Sequence, residues 1–295
     1  MYNHFHTQSF SINQSKPARV LAIASGKGGV GKTCIATNLS VALARNGHRT
    51  ALLDGDTGLS NADIMLGLQP KQNLSDVIGG KCSIADIVVD GPEGLLLIPA
   101  ASGLQAMAGL SIHQQASIIR GLSELDNQVD ILIVDVPTGI SSSAVNFALA
   151  AQEIVVVVCD EPASLADAYA FIKLLSLEYN VHQFQIISNM VTSLNSGSEL
   201  YKRLVQATDF NLDVSLIHLG SIEYDLELKR AVQNQQMVVK LYPNAVSSQQ
   251  LLQITDVIES WKHHYVPRGC LEFFVERLIR FNCMKAMPVL TNKAS

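Results

Sequence analysis

Short, continuous apolar runs alternate along the chain with longer stretches in which apolar and polar residues mix at helical spacing. Val20–Ser25, Thr50–Leu53, Leu95–Pro99, Ile131–Asp135, Ile154–Cys159 and Gln185–Asn189 are such runs, rich in Val, Ile and Leu. A strand apolar on both faces is what a parallel sheet requires, because helices cover both of its sides. Helix-length segments lie between the runs, at Lys32–Asn46, Ser111–Leu125, Ser141–Ala151, Ser164–Tyr179 and Gly197–Thr208. This alternation predicts βαβ units and an α/β fold: a single doubly wound, mostly parallel sheet with helices on both faces. A strand near Val214–Leu219 and helices near Leu226–Gln235 and Ser247–Trp261 complete one domain over residues 18–262. Residues 1–17 are polar, close on Pro17, and read as a flexible N-terminal arm; residues 263–295 form a C-terminal tail.

Composition narrows the class. The chain has 295 residues, 48% of them hydrophobic and 16% charged, enough to bury one large core. A net charge of -5 and a pI of about 5.9 leave no basic footprint of the kind that wraps DNA. Direct nucleic-acid binding is therefore not expected. Cys34, Cys82, Cys159, Cys270 and Cys283 are scattered and form no CxxC pair, so neither a zinc site nor a disulfide framework is expected. The N-terminus lacks a basic start followed by an apolar run, and no apolar stretch approaches the roughly 20 residues that span a bilayer. A cytoplasmic protein is the expectation.

One segment between a predicted strand and a predicted helix carries chemistry. Gly26-Lys27-Gly28-Gly29-Val30-Gly31-Lys32-Thr33 fits the phosphate-loop pattern GxxxxGK[ST]. Its glycines let backbone N–H groups converge on phosphate oxygens, and the helix that follows turns its positive dipole end to the same anion. Lys32 is placed to contact the β- and γ-phosphates, the Thr33 hydroxyl to ligate Mg²⁺, and Cys34 to continue the cradle. Lys27 is an extra cation, five residues before Lys32. From a tight loop it must point away from its own γ-phosphate.

Acidic groups close the neighbouring strands. Asp54 and Asp56 end the run Leu52-Leu53-Asp54-Gly55-Asp56, and Asp135 ends Ile131-Leu132-Ile133-Val134. Carboxyl ends of strands are where open α/β sheets bind ligands. Asp135 has the form of a Walker B acid, which would hold Mg²⁺ through a water, with Gly139 free to approach the γ-phosphate. A turn or helix cap is the plainer alternative for the Asp-x-Asp pair.

The segment Lys27-Gly28-Gly29-Val30-Gly31-Lys32-Thr33 resembles the deviant Walker A signature of the MinD/ParA class. That resemblance implies ATP, ADP and Mg²⁺ as cofactors, slow ATP hydrolysis, and a homodimer in which Lys27 reaches the partner's nucleotide. It implies that Asp56 orients or deprotonates the attacking water and that Asp54 helps position water and metal. Asn189 is placed like the asparagine that reads adenine, although a cap or turn role stays open for it. Ile222-Glu223-Tyr224-Asp225 resembles the class's I-P-x-D loop around the base, with Glu223 where proline is usual. Thr138 stands where alanine is common.

Within that class the resemblance runs over about residues 18–281 to the flagellar-number regulators called FlhG or FleN. Pro99-Ala-Ala-Ser-Gly103, Val158-Cys-Asp-Glu-Pro162, Asp167-Ala-Tyr169 and Arg268-Gly-Cys-Leu-Glu-Phe-Phe-Val-Glu-Arg277 carry it. It implies restraint of flagellar assembly, cycling on an anionic membrane surface, and two partners. These are a FleQ-like transcriptional activator and the flagellar SRP-type GTPase FlhF. Residues 1–17 lack the family's Asp-Gln-Ala-x-x-Leu-Arg helix, which favours antagonism of the activator over stimulation of the GTPase.

The tail itself supports a reversible place at the inner face of the membrane. Drawn as a helix, 271–281 puts Leu271, Phe274, Val275, Leu278, Ile279 and Phe281 on an arc of about 160°. Phe273 is the apolar exception on the polar side. Eleven residues reach only about 16 Å, so such a helix lies in an interface rather than crossing it. Packing on the protein's own core is the alternative.

Overall fold

A computed structural model describes residues 18–55, 61–100, 112–125, 128–261 and Phe273. Its strands are β1 (Arg19–Ala24), β2 (Thr50–Asp54), β3 (Val89–Asp90), β4 (Leu96–Ile98), β5 (Ile131–Asp135), β6 (Glu153–Cys159), β7 (Gln183–Val191) and β8 (Ser215–Glu223). They form one sheet in the order β3-β4-β2-β5-β1-β6-β7-β8. Every pairing is parallel except that of β3 with β4. The expected doubly wound sheet is therefore present, with one short antiparallel strand at its edge.

The helices are α1 (Lys32–Arg45), α2 (Ala62–Leu66), α3 (Leu74–Ile78), α4 (Ile84–Ile87), α5 (Ile112–Gly121), α6 (Ser142–Ala150), α7 (Pro162–Tyr179), α8 (Leu194–Asp209), α9 (Leu226–Gln233), α10 (Val238–Leu241) and α11 (Val246–Ser260). The one-turn helices α2, α3 and α4 were not expected, because four or five residues cannot display a helical period. Local chemistry starts two of them instead. Asn73 with Asp76, and Ser83 with Asp86, form capping boxes that satisfy the first free N–H groups.

Every strand except the two-residue β3 divides its side chains between two cores. In β1, Val20, Ala22 and Ala24 face one cluster, and Leu21 and Ile23 face the other, as the two-residue strand period dictates. β1 lies between β5 and β6, so its first residue is interior too. Arg19 solves the charge problem this creates by donating to the carbonyls of Ile258 and Trp261 at the end of α11. Its guanidinium also lies over the Trp261 ring, 5.9 Å from the centroid. The start of β1 is thereby tied to the end of the last described helix.

The expected amphipathic helix over 271–281 lies outside the described residues, except at Phe273. That residue is fully buried, and its N–H donates to the Ala150 carbonyl at 3.0 Å. Its ring stacks on Phe147 of α6, with centroids 6.4 Å apart and planes 2° from parallel. Among the described residues, the tail meets the core at Phe273, the side chain that broke the amphipathic pattern. Among the described residues, no helix is long and apolar enough to cross a membrane.

Candidate nucleotide site

β1 ends at the centre of the sheet, and the glycine loop that leaves it turns directly into α1. Gly29 and Gly31 adopt φ of 82° and 84°, the left-handed region that favours glycine. At Gly31 space is also short: a Cβ would meet the Asn189 side-chain nitrogen at 2.4 Å. At Gly26 a Cβ would strike the Asp167 carbonyl at 2.3 Å, so the loop is pressed against the backbone of α7. No side chain caps the N-terminus of α1. Its first N–H groups have no partner earlier in the helix, which makes them a ready anion site.

Charge is concentrated beneath this loop. Asp135 is completely buried and accepts from Lys32 Nζ at 2.5 Å and from Thr33 Oγ1 at 2.6 Å. Lys32 is itself only 4% exposed. Asp54 stands beside Asp135 in the β2–β5 register, is buried, and accepts from the Ala62 N–H at the start of α2. Buried charges persist only when paired. The donors are all oxygen, from Thr33, Asp54 and Asp135, a hard set that fits Mg²⁺. Asp56 lies outside the described residues.

The backbone after Asp135 returns to the loop: Gly139, at φ 90°, donates its N–H to the Ser25 carbonyl at 3.0 Å. A cleft of about 730 Å³ opens here, lined by Gly28, Gly29, Gly31, Lys32, Thr33, Cys34 and Thr138. Asn61, Ile64 and Met65 from the region of α2, and Val232 from α9, supply the rest of the lining together with Ser25. Sequence reasoning missed Asn61, Ile64, Met65 and Val232, since α2 is a single turn and Val232 belongs to no motif. Burial pushes the Cys34 thiol up to about 12, so it stays protonated and serves as a small lining group rather than a nucleophile.

Asn189 closes one side of the loop. It is 3% exposed, and its Nδ2 donates to the Val30 carbonyl at 2.7 Å. Its Oδ1 is buried with no hydrogen-bond partner. An unpaired buried amide oxygen is costly, and a ligand donor such as an adenine amino group would satisfy it. The structure does not bring Glu223 and Asp225 into the lining. Glu223 exchanges hydrogen bonds with the Gln250 side chain. Asp225 caps α9 through the Glu227 N–H and accepts from Ser247. Burial pushes the Asp225 carboxyl up, but these hydrogen bonds outweigh it and leave its pKa below the usual value. Lys27 also lies outside the lining and pairs with Glu161 at the start of α7.

A family model described as an AAA domain matches residues 18–186. The chain is 45% identical over 264 residues to the antiactivator FleN of Pseudomonas aeruginosa, covering 90% of this chain and 94% of that protein. It is 30% identical over 285 residues to the flagellum site-determining protein YlxH of Helicobacter pylori, covering 95% and 96%. Among solved structures it is similar to the septum site-determining protein MinD complexed with Mg-ADP from Pyrococcus horikoshii. That match has a TM-score of 0.69 at 22% identity and covers 82% of this chain and 96% of the other.

Gly31→Ala tests the cradle. Left-handed backbone costs a side chain about 1–2 kcal/mol, and the new methyl must displace Asn189. Titration with Mg-ADP in a calorimeter should show affinity reduced at least about tenfold. Unchanged affinity would remove the loop from the site.

Proposed function

The chain belongs to the MinD/ParA class of deviant Walker A ATPases, in the branch of the flagellar regulators FlhG and FleN, and from that premise we propose that it is an ATP-driven dimerisation switch. It restrains flagellar number by antagonising a FleQ-like transcriptional activator, and it hydrolyses ATP slowly. FlhF is its second partner. The observation that carries the proposal is the buried contact of Asp135 with both Lys32 and Thr33, which joins the second acidic strand to the phosphate loop.

Each residue then has a task. Backbone N–H groups from Gly28 to Cys34 hold phosphate oxygens, and Lys32 neutralises the β- and γ-phosphates. Thr33, Asp54 and Asp135 would hold Mg²⁺, which would supply charge neutralisation at the transferred phosphoryl group. Asp56 orients the attacking water. Asn189 offers its amide oxygen to the base, with Glu223 and Asp225 shaping the loop that borders it. Lys27 crosses to the nucleotide of a second copy of the chain. Gly139, bonded to the Ser25 carbonyl, lets the segment after Asp135 respond to the γ-phosphate.

Membrane cycling follows from a weak anchor under mass action. One short tail binds lipid marginally, whereas two on a dimer bind at high effective concentration. Phe273 supports a docked state on α6. Its stacking partner Phe147 reaches to 3.6 Å from where a Gly55 Cβ would stand, and Pro137 to 3.4 Å from the same point. The docking point and the segment after Asp135 thus share neighbours, so nucleotide can shift the docked and released populations.

Two experiments test these proposals. Asp56→Ala should bind ATP, form a dimer that turns over slowly, and still restrain the activator in a reporter assay. Loss of ATP binding would refute the water-orienting role, and loss of restraint with the dimer intact would make hydrolysis essential. In co-sedimentation with anionic vesicles, wild type should bind more with ATP than with ADP. Phe274→Glu should abolish binding, and Phe273→Ala should raise binding with ADP. Equal binding with both nucleotides would refute the coupling.

A further inference from the structure

Lys27 has a partner on its own chain. Its ammonium pairs with the Glu161 carboxylate, and that hydrogen bond is the main cause of its raised pKa. Glu161 occupies the N-cap position of α7, where a carboxylate would ordinarily sit over free N–H groups. It makes no such cap bond and turns to Lys27 instead. The neighbouring acid, Asp160, is occupied by Arg203 of α8. The backbone around Lys27 is held on both sides. Gly26 abuts the Asp167 carbonyl, and Ser25 Oγ donates to the Lys27 carbonyl at 3.0 Å. The Lys27 side chain extends from this held backbone to Glu161. With side chains 35% and 57% exposed, the pair is open to water and can break without a buried charge being stranded.

We propose that Glu161 is a positioning residue for Lys27, a cis latch that holds this lysine on its own subunit and so sets how readily two copies join. The proposal rests on the assignment of Lys27 to the nucleotide of a second copy. A lysine that serves the partner cannot at the same time serve Glu161, so each dimer formed must break two of these pairs. An exposed pair shifts an equilibrium by a few-fold, and two acting together shift dimerisation by on the order of tenfold. Because the pair is exposed, salt weakens it.

The test is the dimer dissociation constant of the full chain with Mg²⁺ and a non-hydrolysable ATP analogue, measured by sedimentation velocity at low and high salt. Glu161→Gln should dimerise about tenfold more tightly than wild type at low salt, with the gap narrowing at high salt. Glu161→Asp, charged but one methylene shorter, should fall between the two. Mg-ADP affinity should not change, since Glu161 lies outside the cleft lining. If Glu161→Gln dimerises equally or more weakly while Lys27→Ala loses the dimer, the latch is wrong and the role of Lys27 stands. If Lys27→Ala dimerises like wild type, the role of Lys27 falls and the latch falls with it.

Discussion

The carboxylate of Asp135 organises the centre of this molecule. It is sealed from water at the end of β5 and bonded at once to Lys32 Nζ and Thr33 Oγ1. Removing one member of a buried ion pair strands the other at a cost of about 3–5 kcal/mol. The phosphate loop cannot therefore drift from the acidic strand. A phosphate group and a divalent cation entering here meet a site whose charges are already assembled, and Lys32 can turn to the new anion only as new cation charge reaches Asp135. On the proposed function, nucleotide and metal would be coupled at the two Asp135 oxygens that now accept from Lys32 and Thr33.

That coupling reaches outward through short contacts. Gly139 bonds the segment after Asp135 to Ser25 of the loop, and α6 follows directly. Phe147 on α6 carries the stacked ring of Phe273 from the tail. On the other flank, the loop lies against α7, and the two residues just before that helix, Asp160 and Glu161, pair with Arg203 and Lys27.

Much of this was legible in the chain. Val20–Ala24 and Leu132–Val134 are apolar at every position because both faces of a central parallel strand are covered, so their place needs no tertiary information. The phosphate loop, Asp54 and Asp135 were legible for the same reason: each stands where an apolar strand stops. Other features depend on partners distant in sequence. Nothing around Glu161 announces Lys27, and nothing around Val232 announces the cleft. The Ile222–Asp225 segment resembles a base-binding loop, yet Asp225 is spent on capping α9 and on Ser247, a local use that a motif cannot exclude. Phe273 looked like a flaw in an amphipathic wheel because a wheel has no record of what the core lacks. It fills a place against Phe147.

On the proposed function, the Asp135–Lys32–Thr33 cluster reads the third phosphate and converts it into assembly. Sedimentation velocity of the full chain in Mg²⁺, with ADP in one cell and a non-hydrolysable ATP analogue in another, tests it most directly. The chain should sediment as a monomer with ADP and as a dimer with the analogue. The same sedimentation coefficient with both nucleotides would contradict it.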